Sequence, residues 1–294
     1  TIAASTSDLV MDVNGVLDNR SGTLSAAHAN KLNTAGTINN TRGKITGGNG
    51  GITINTHKNR LTNTNGNIAA IGSVSINSGQ LNNTNGMVQS SSQVTIDTNG
   101  QLLTNTGRNN DTGIYSTLGM TLKTGQLNNN NGLITTSGNS TIISGALDNR
   151  NGQIFAFGSS SSDLSMTVGG TLDNRGGEIA AQHQVNLSTS STLNNSANGK
   201  MSAGDDFKLT TNKAALNNTN GLIESAGALD INSGLLTNRT GSLQATKMLN
   251  VNTNGSNLIN ESGQISAMGD IQLANINAMD NRDGSVSGEG KLLL

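Results

Sequence analysis

Residues that commonly carry out catalysis or bind metals are scarce in this sequence. The 294 residues include three histidines, His28, His57 and His183, and no cysteine. The histidines show no metal-ligand spacing, and we expect them to lie in turns or on the surface. The lack of cysteine excludes disulfides, thiolate metal sites and cysteine nucleophiles. The sequence therefore predicts no metal site and no cofactor.

Acidic residues do not offer a convincing general acid/base pair either. Asp205-Asp206 is an acidic doublet, but adjacent residues of a strand point to opposite sides. No stacked set of Asp, Arg and Lys suggests the groove of a polysaccharide-cleaving enzyme, and GGNGG at 47–51 lacks the aspartate of calcium-binding nonapeptide repeats. We predict that the protein is not an enzyme.

The composition also excludes several kinds of partner. The net charge is −1, and the chain has 46 Asn, 38 Gly, no Pro and only 1% aromatic residues. Nucleic-acid binding usually needs a basic surface, so we expect no nucleic-acid partner. Disordered chains are usually rich in charge and proline, which this chain is not. Without an apolar run of about 18 residues, the chain is predicted not to span a membrane.

An internal repeat organises the whole chain. An apolar residue, a spacer, an asparagine, a short turn and in most copies a glycine recur thirteen times, with a mean step of about 22 residues. The best-preserved form, LNNTNG, occurs at 81–86 and again at 216–221. The repeated asparagines are Asn19, Asn40, Asn63, Asn83, Asn105, Asn129, Asn149, Asn174, Asn195, Asn218, Asn238, Asn260 and Asn281.

Within each repeat, apolar residues alternate with other residues over short runs. In residues 68–83, Ile68 and Ala70, then Val74 and Ile76, then Leu81 and Asn83 fall on one side, with breaks at Gly72 and Gly79. This indicates three short strands per repeat. Such units bury their apolar sides only by stacking. We predict an all-β, right-handed parallel β-helix (β-solenoid) of about 13 coils, forming a single domain over residues 1–294.

The same alternation places each repeated asparagine inside the stack at a corner. A buried amide needs hydrogen-bond partners, so we predict an asparagine ladder in which each side chain bonds to the coils above and below. The glycine that follows is expected to supply a positive φ. Inward alanines indicate a narrow interior: Ala26, Ala70, Ala156, Ala181, Ala245 and Ala267.

At this point a family resemblance is visible. Units such as GALDNRNGQIFAFG (145–158), GTLDNRGGEIAAQ (170–182) and GQLNNTNGMVQSSSQVTI (79–96) resemble haemagglutinin-type repeats. These repeats occur in large bacterial exoproteins exported by two-partner secretion, such as filamentous haemagglutinin and contact-dependent growth inhibition toxins. The resemblance covers nearly the entire chain.

The resemblance implies several properties. These are an outer-membrane transporter as partner, export as an unfolded chain, and a β-helical filament at the outer-membrane surface or in the medium. Neither the amino-terminal secretion domain nor a carboxy-terminal toxin domain is recognisable. We therefore expect an excised interior segment, monomeric as a fragment.

A few outward aromatic residues depart from the polar pattern. Tyr115, Leu133, Phe155 and Phe157 are predicted to point outward on nearby coils, close to the turn from Thr106 to Thr112. They form a contact patch, or they are scattered surface apolar residues, or an aromatic pair among them covers an inserted loop. Two functions follow: a rigid stalk that projects a distal region, or a binding module for a receptor, glycan or biofilm matrix.

Overall fold

The computed structural model describes residues 1–107 and 111–294. Arg108, Asn109 and Asn110, which belong to the turn from Thr106 to Thr112, lie outside the described residues. All regular secondary structure of the described residues is β-strand, organised as a parallel solenoid of about 13 turns spaced about 22 residues apart. The predicted fold class is confirmed, while the right-handed sense of the coils stays a prediction.

The chain divides into two compact units, Thr1–Gly145 and Ala146–Leu294. In both units the coils pass in turn through three parallel sheets, which we call faces A, B and C. The single domain over residues 1–294 stays a prediction.

In the described part of the first unit, faces A and B contain seven strands each, one from each of seven successive coils. Face A contains β1 (Ile2–Ala4), β4 (Thr23–Ala26), β7 (Lys44–Gly47), β10 (Asn67–Ala70), β13 (Met87–Ser90), β16 (Gly113–Ser116) and β19 (Leu133–Thr136). Face B contains β2 (Leu9–Val13), β5 (Ala29–Thr34), β8 (Gly51–Asn55), β11 (Val74–Asn77), β14 (Gln93–Asp97), β17 (Gly119–Lys123) and β20 (Asn139–Ser144). Face C contains β3 (Leu17–Asp18), β6 (Ile38–Asn39), β9 (Leu61–Thr62), β12 (Leu81–Asn82), β15 (Leu102–Thr104) and β18 (Gln126–Asn128).

The second unit repeats this arrangement. Face A contains β22 (Gln153–Ala156), β25 (Glu178–Ala181), β28 (Lys200–Ala203), β31 (Leu222–Ser225), β34 (Ser242–Ala245), β37 (Gln264–Ala267) and β40 (Ser285–Gly288). Face B contains β23 (Leu164–Val168), β26 (Val185–Thr189), β29 (Phe207–Thr210), β32 (Leu229–Asn232), β35 (Leu249–Asn252), β38 (Ile271–Ala274) and β41 (Leu292–Leu293). Face C contains β21 (Ala146–Asp148), β24 (Leu172–Asp173), β27 (Leu193–Asn194), β30 (Leu216–Asn217), β33 (Leu236–Thr237), β36 (Leu258–Ile259) and β39 (Met279–Asp280).

Register between neighbouring coils is set by the apolar columns. On face A, Ile45 pairs with Ile68 and Ile68 with Val88, while on face C Leu61 pairs with Leu81 and Leu81 with Leu103. All of these side chains are fully buried. A slip of one residue would turn every core side chain to the solvent, so the alternating pattern fixes the pairing.

The interior is narrow, as the alanines suggested. All six predicted inward alanines are buried, and Phe207 is a fully buried aromatic in the core of face B. Side chains from three faces share this space, which leaves little room for further large rings. The low aromatic content of the chain therefore matches the geometry of its core.

The role predicted for the corner glycines is wrong. The left-handed φ belongs instead to the residue before the glycine, such as Ser21, Asn65 and Asn85, with φ between 49° and 53°. The corner position requires glycine for a different reason. A Cβ at Gly66 would lie within 3.0 Å of the Asn40 carbonyl oxygen and the Asn63 Oδ1, which is closer than real Cβ contacts.

We expect Gly66→Ala to destabilise the first unit by about 2 kcal/mol or more, because backbone and amide oxygens cannot move away from the new methyl group. Gly15→Ala is the matched control, because a Cβ there meets nothing within 4 Å. The free energy of unfolding from urea titration compares the two. Equal stability of both variants would contradict close approach as the reason for glycine at the corner.

Candidate functional site

In the first unit the asparagines that follow face C form a continuous hydrogen-bonded column. Asn19 Nδ2 donates to Asn40 Oδ1 at 2.6 Å, and Asn40 Nδ2 donates to Asn63 Oδ1 at 2.7 Å. Asn63 then donates to Asn83 at 2.7 Å, and Asn83 to Asn105 at 2.8 Å. A further bond of 2.8 Å joins Asn105 Nδ2 to Asn129 Oδ1.

The second unit contains the same column. It begins with Asn149 Nδ2 donating to Asn174 Oδ1 at 2.7 Å, and every later step measures 2.7 or 2.8 Å. Its members are Asn149, Asn174, Asn195, Asn218, Asn238, Asn260 and Asn281. All are buried except Asn281, which is exposed and donates to the Gly284 carbonyl oxygen at 3.2 Å.

Each ladder amide also bonds to the backbone. Asn63 Nδ2 reaches the Gly66 carbonyl oxygen at 3.3 Å within its own turn and the Met87 carbonyl oxygen at 3.0 Å in the next coil. The Asn63 carbonyl oxygen accepts the Gly66 N–H at 3.0 Å. One side chain therefore closes its own corner and ties it to the next coil, which satisfies the polar groups of a buried amide.

Charged side chains flank several corners on the outside. Arg20, Arg175 and Arg282 each form an ion pair with the aspartate two residues earlier, at 2.6 to 2.7 Å. The hydrogen bond from Arg282 lowers the pKa of Asp280 to about 2. The hydrogen bond from Arg20 likewise holds the pKa of Asp18 below its usual value. These pairs are exposed and therefore add little stability.

The four residues of the predicted contact patch are divided between the two units. Tyr115 and Leu133 belong to the first unit, and both are half-buried. The Tyr115 ring lies over Gly113, and its hydroxyl donates to the Thr112 carbonyl oxygen at 2.7 Å. Burial raises the pKa of Tyr115. Tyr115 therefore packs against Gly113 and Thr112, and the contact patch stays a prediction.

Phe155 and Phe157 lie together on the second unit. Their ring centroids are 5.2 Å apart with an interplanar angle of 34°. Phe155 is half-buried beside Ala180, its neighbour in the next coil, and Phe157 follows the strand and is 40% exposed. This pair is the part of the predicted patch that a ligand could reach.

The three histidines lie in turns, and each contacts a residue of the preceding coil. His28 Nδ1 lies 2.6 Å from Asp8 Oδ1, and His57 Nδ1 lies 3.0 Å from the Thr34 carbonyl oxygen. His183 Nδ1 lies 2.7 Å from Asp163 Oδ1. Within residues 1–107 and 111–294, no three His, Cys, Asp or Glu side chains are grouped so that they could hold a metal ion.

Asp205 and Asp206 do not lie in a strand, so strand alternation does not direct their side chains to opposite sides. The reason for which the sequence analysis rejected them as an acid/base pair is therefore wrong. Both residues lie in the turn between β28 and β29. Asp205 pairs with Lys247 at 3.0 Å, and this hydrogen bond lowers the pKa of the aspartate. Asp206 Oδ1 accepts the Ala228 N–H at 2.9 Å. Each carboxylate thus has a structural partner.

The structure contains a second column of buried polar residues, which the sequence analysis did not predict. Buried Ser and Thr side chains stand at the end of face B, and several donate to a carbonyl oxygen of the same turn, as Thr98 Oγ1 does to Gln101 at 2.6 Å, whereas Thr124 and Ser144 make no such bond to any described residue. Thr34, Thr189 and Thr253 make the same kind of bond, at 2.6 to 2.8 Å. This column lies at a variable distance before face C, so no fixed spacing in the sequence marks it.

The haemagglutinin repeat family model matches residues 1–65, 103–176, 142–211, 208–261 and 249–294, which together make up most of the chain. The chain belongs to the haemagglutinin-repeat family. No curated protein and no solved structure matches it significantly. The predicted resemblance is confirmed.

The haemagglutinin-repeat family is a family of structural, adhesin-type proteins and is not a known enzyme family, and membership fits an extended adhesin-type filament. Proteins of this family are generally secreted or cell-surface exoproteins. The described residues contain no helix with the length and hydrophobicity needed to cross a membrane.

We expect Asn83→Leu to lower the free energy of unfolding by about 2–5 kcal/mol. It removes the acceptor of the Asn63 amide and the donor to Asn105, and each buried unsatisfied group costs about 1–3 kcal/mol. Asn218→Leu tests the second unit in the same way. Urea titration followed by circular dichroism measures both.

Asn77→Leu is the matched control. Asn77 Oδ1 accepts a hydrogen bond of 2.9 Å from Asn99 in the next coil, but this pair is exposed. Water replaces the lost partner, so we expect a change within about 0.5 kcal/mol. Unchanged stability in both ladder variants would show that the buried amides do not hold the coils.

Proposed function

We propose that this chain is part of the rigid stalk of a secreted bacterial exoprotein and holds a distal functional region away from the cell surface. The exoprotein is an adhesin or a contact-dependent growth inhibition protein. The continuous hydrogen-bonded asparagine column inside each unit supports this most directly. Bending or separating coils breaks buried hydrogen bonds of the ladder together with those of three sheets, so each stack resists deformation.

The same proposal includes the route of export. The partner is an outer-membrane transporter of the two-partner type, through which the chain passes unfolded, and the folded segment is part of a longer protein at the outer-membrane surface. Support comes from family membership and from the absence of cysteine. A chain without cysteine cannot be locked by a disulfide in an oxidising periplasm. Each coil can also add onto the one before it, so folding proceeds as the chain emerges.

Stretching single molecules by optical tweezers tests the stalk. We expect resistance up to a threshold force, followed by stepwise loss of coils. A coil of about 22 residues should add about 70 Å of contour length. Smooth extension from the lowest forces, like that of the same chain in concentrated denaturant, would contradict the proposal.

The second candidate function is a binding module, and the exposed Phe155–Phe157 pair favours it. Exposed aromatic residues on an otherwise polar surface often mark contact sites. We expect Phe155→Ser combined with Phe157→Ser to abolish adhesion to target cells while circular dichroism and thermal unfolding stay unchanged. Tyr115→Ser in the first unit is the control. Full adhesion by the double variant would remove this candidate and leave the stalk.

A further inference from the structure

A long groove crosses face A of the second unit. It encloses about 690 Å³, which is within the range of ligand sites. Its floor is the outer side of a column of small residues from six successive coils, whose alanine and serine side chains point into the interior. Neighbouring coils are about 4.8 Å apart, so the groove extends about 24 Å. The floor residues are Ala181, Ala203, Ser225, Ala245, Ala267 and Gly288.

Polar side chains form the walls of this groove. Ser202, Glu224 and Ser266 point outward from face A, and Thr246 follows the floor column on the other side. Within the described residues, the side chains of Ser202, Glu224 and Ser266 make no hydrogen bond or ion pair. Elsewhere, outward polar residues pair between coils, as Asn254 does with Asn232 at 2.6 Å. The groove therefore keeps hydrogen-bonding groups that the fold does not use.

The charge of the groove selects among ligands. Glu224 and Glu289 are its charged lining residues, and no Lys, Arg or His lines it among the described residues. Two carboxylates without a cation repel sulfated, phosphorylated or uronic-acid ligands. An uncharged ligand with many hydroxyl groups meets no such penalty and can donate to both carboxylates.

The direction of the groove argues against an extended peptide. Peptides commonly bind as an added strand at a sheet edge, where main-chain groups are free. This groove instead crosses paired strands, and its backbone groups are already bonded between coils, as the Ala203 carbonyl oxygen is to the Ala226 N–H at 3.0 Å. A sugar chain carries its hydrogen-bonding groups at the ring edges and needs no free backbone.

Spacing and surface chemistry fit a carbohydrate in two further ways. One hexose of a β-1,4-linked chain is about as long as the ~4.8 Å spacing between coils, so successive sugars can meet equivalent side chains. Phe157 lines one end of the groove and is supported by Phe155. Its exposed face can stack on the C–H face of a sugar, and Met268 adds apolar surface farther along.

We propose that this groove binds an uncharged, linear, β-1,4-linked hexose polymer, with the sugar rings on the alanine floor and their hydroxyl groups on the side chains of the walls. The proposal names the ligand class for the binding-module candidate and rests on that candidate. It does not depend on the stalk, whose resistance to force comes from the interior.

Isothermal titration calorimetry of the 294-residue chain tests this groove, with cellohexaose and chitohexaose as probes. We expect saturable binding of at least one of them. Ala226→Trp places a large ring in the groove from an exposed position and should weaken binding at least tenfold. Ser91→Trp is the matched control, because Ser91 follows a face-A strand of the first unit in the same way. It should bind like the unchanged chain.

Three results would overturn the proposal. They are no binding of either oligosaccharide, tighter binding of a heparin oligosaccharide, and full binding by Ala226→Trp. The first of these results, combined with binding of an extended peptide that Ala226→Trp blocks, would assign the groove to a protein partner. Because the force measurement does not involve the groove, failure here and failure of the stalk are distinguishable.

Discussion

The structure depends on the burial of one amide per coil. A side-chain amide inside a narrow core is stable only when its donors and acceptor are bonded, and here those partners come from the same residue in neighbouring coils. Asn63 needs Asn40 and Asn83 at a fixed height and angle. The corner sequence must therefore recur once in every coil, while the turns between faces can vary in length. This explains why the step between repeats varies from coil to coil while the motif itself persists.

Much of the fold could be predicted because its rules are local and repeated. Alternation over a few residues, as in Val74 and Ile76, shows which side chains face inward, and recurrence of an apolar residue, a spacer and an asparagine gives the number of coils. The reason for the glycine at the corner was predicted wrongly, because a positive φ and a close approach of other atoms both require glycine and look the same in a sequence. Only the structure shows that Asn65 takes the left-handed conformation and that Gly66 faces the Asn40 carbonyl oxygen.

Features between coils were harder to predict. The Thr98 column keeps no fixed distance from the next face, and the groove on face A exists only because small floor residues from six coils align. Each of those residues looks ordinary within its own repeat. The contact made by Tyr115 was hard to predict for a related reason, because its side chain bends back onto its own turn and bonds to Thr112. Its sequence gives no sign of that contact.

In the functions that we propose, the fold and the binding surface depend on different residues. The polar groups of the interior hydrogen-bond to one another, so a ligand would be bound by outward residues. Substitution at outward positions costs little stability. A repeat of this kind can serve as stalk along most of its length and still carry a groove on one unit. Such a division lets outward residues such as Phe157 and Glu224 change without disturbing the ladder beneath them.

Exchange of the asparagine side-chain amide protons with deuterium, followed by nuclear magnetic resonance, tests the central claim most directly. The buried amides of Asn63, Asn83 and Asn105 should exchange more than about a hundredfold more slowly than the side-chain amide of the exposed Asn77, because exchange requires the coils to open. Equal rates for the ladder and for Asn77 would show that the amides are open to water. The ladder would then not be the interaction that holds the coils in register.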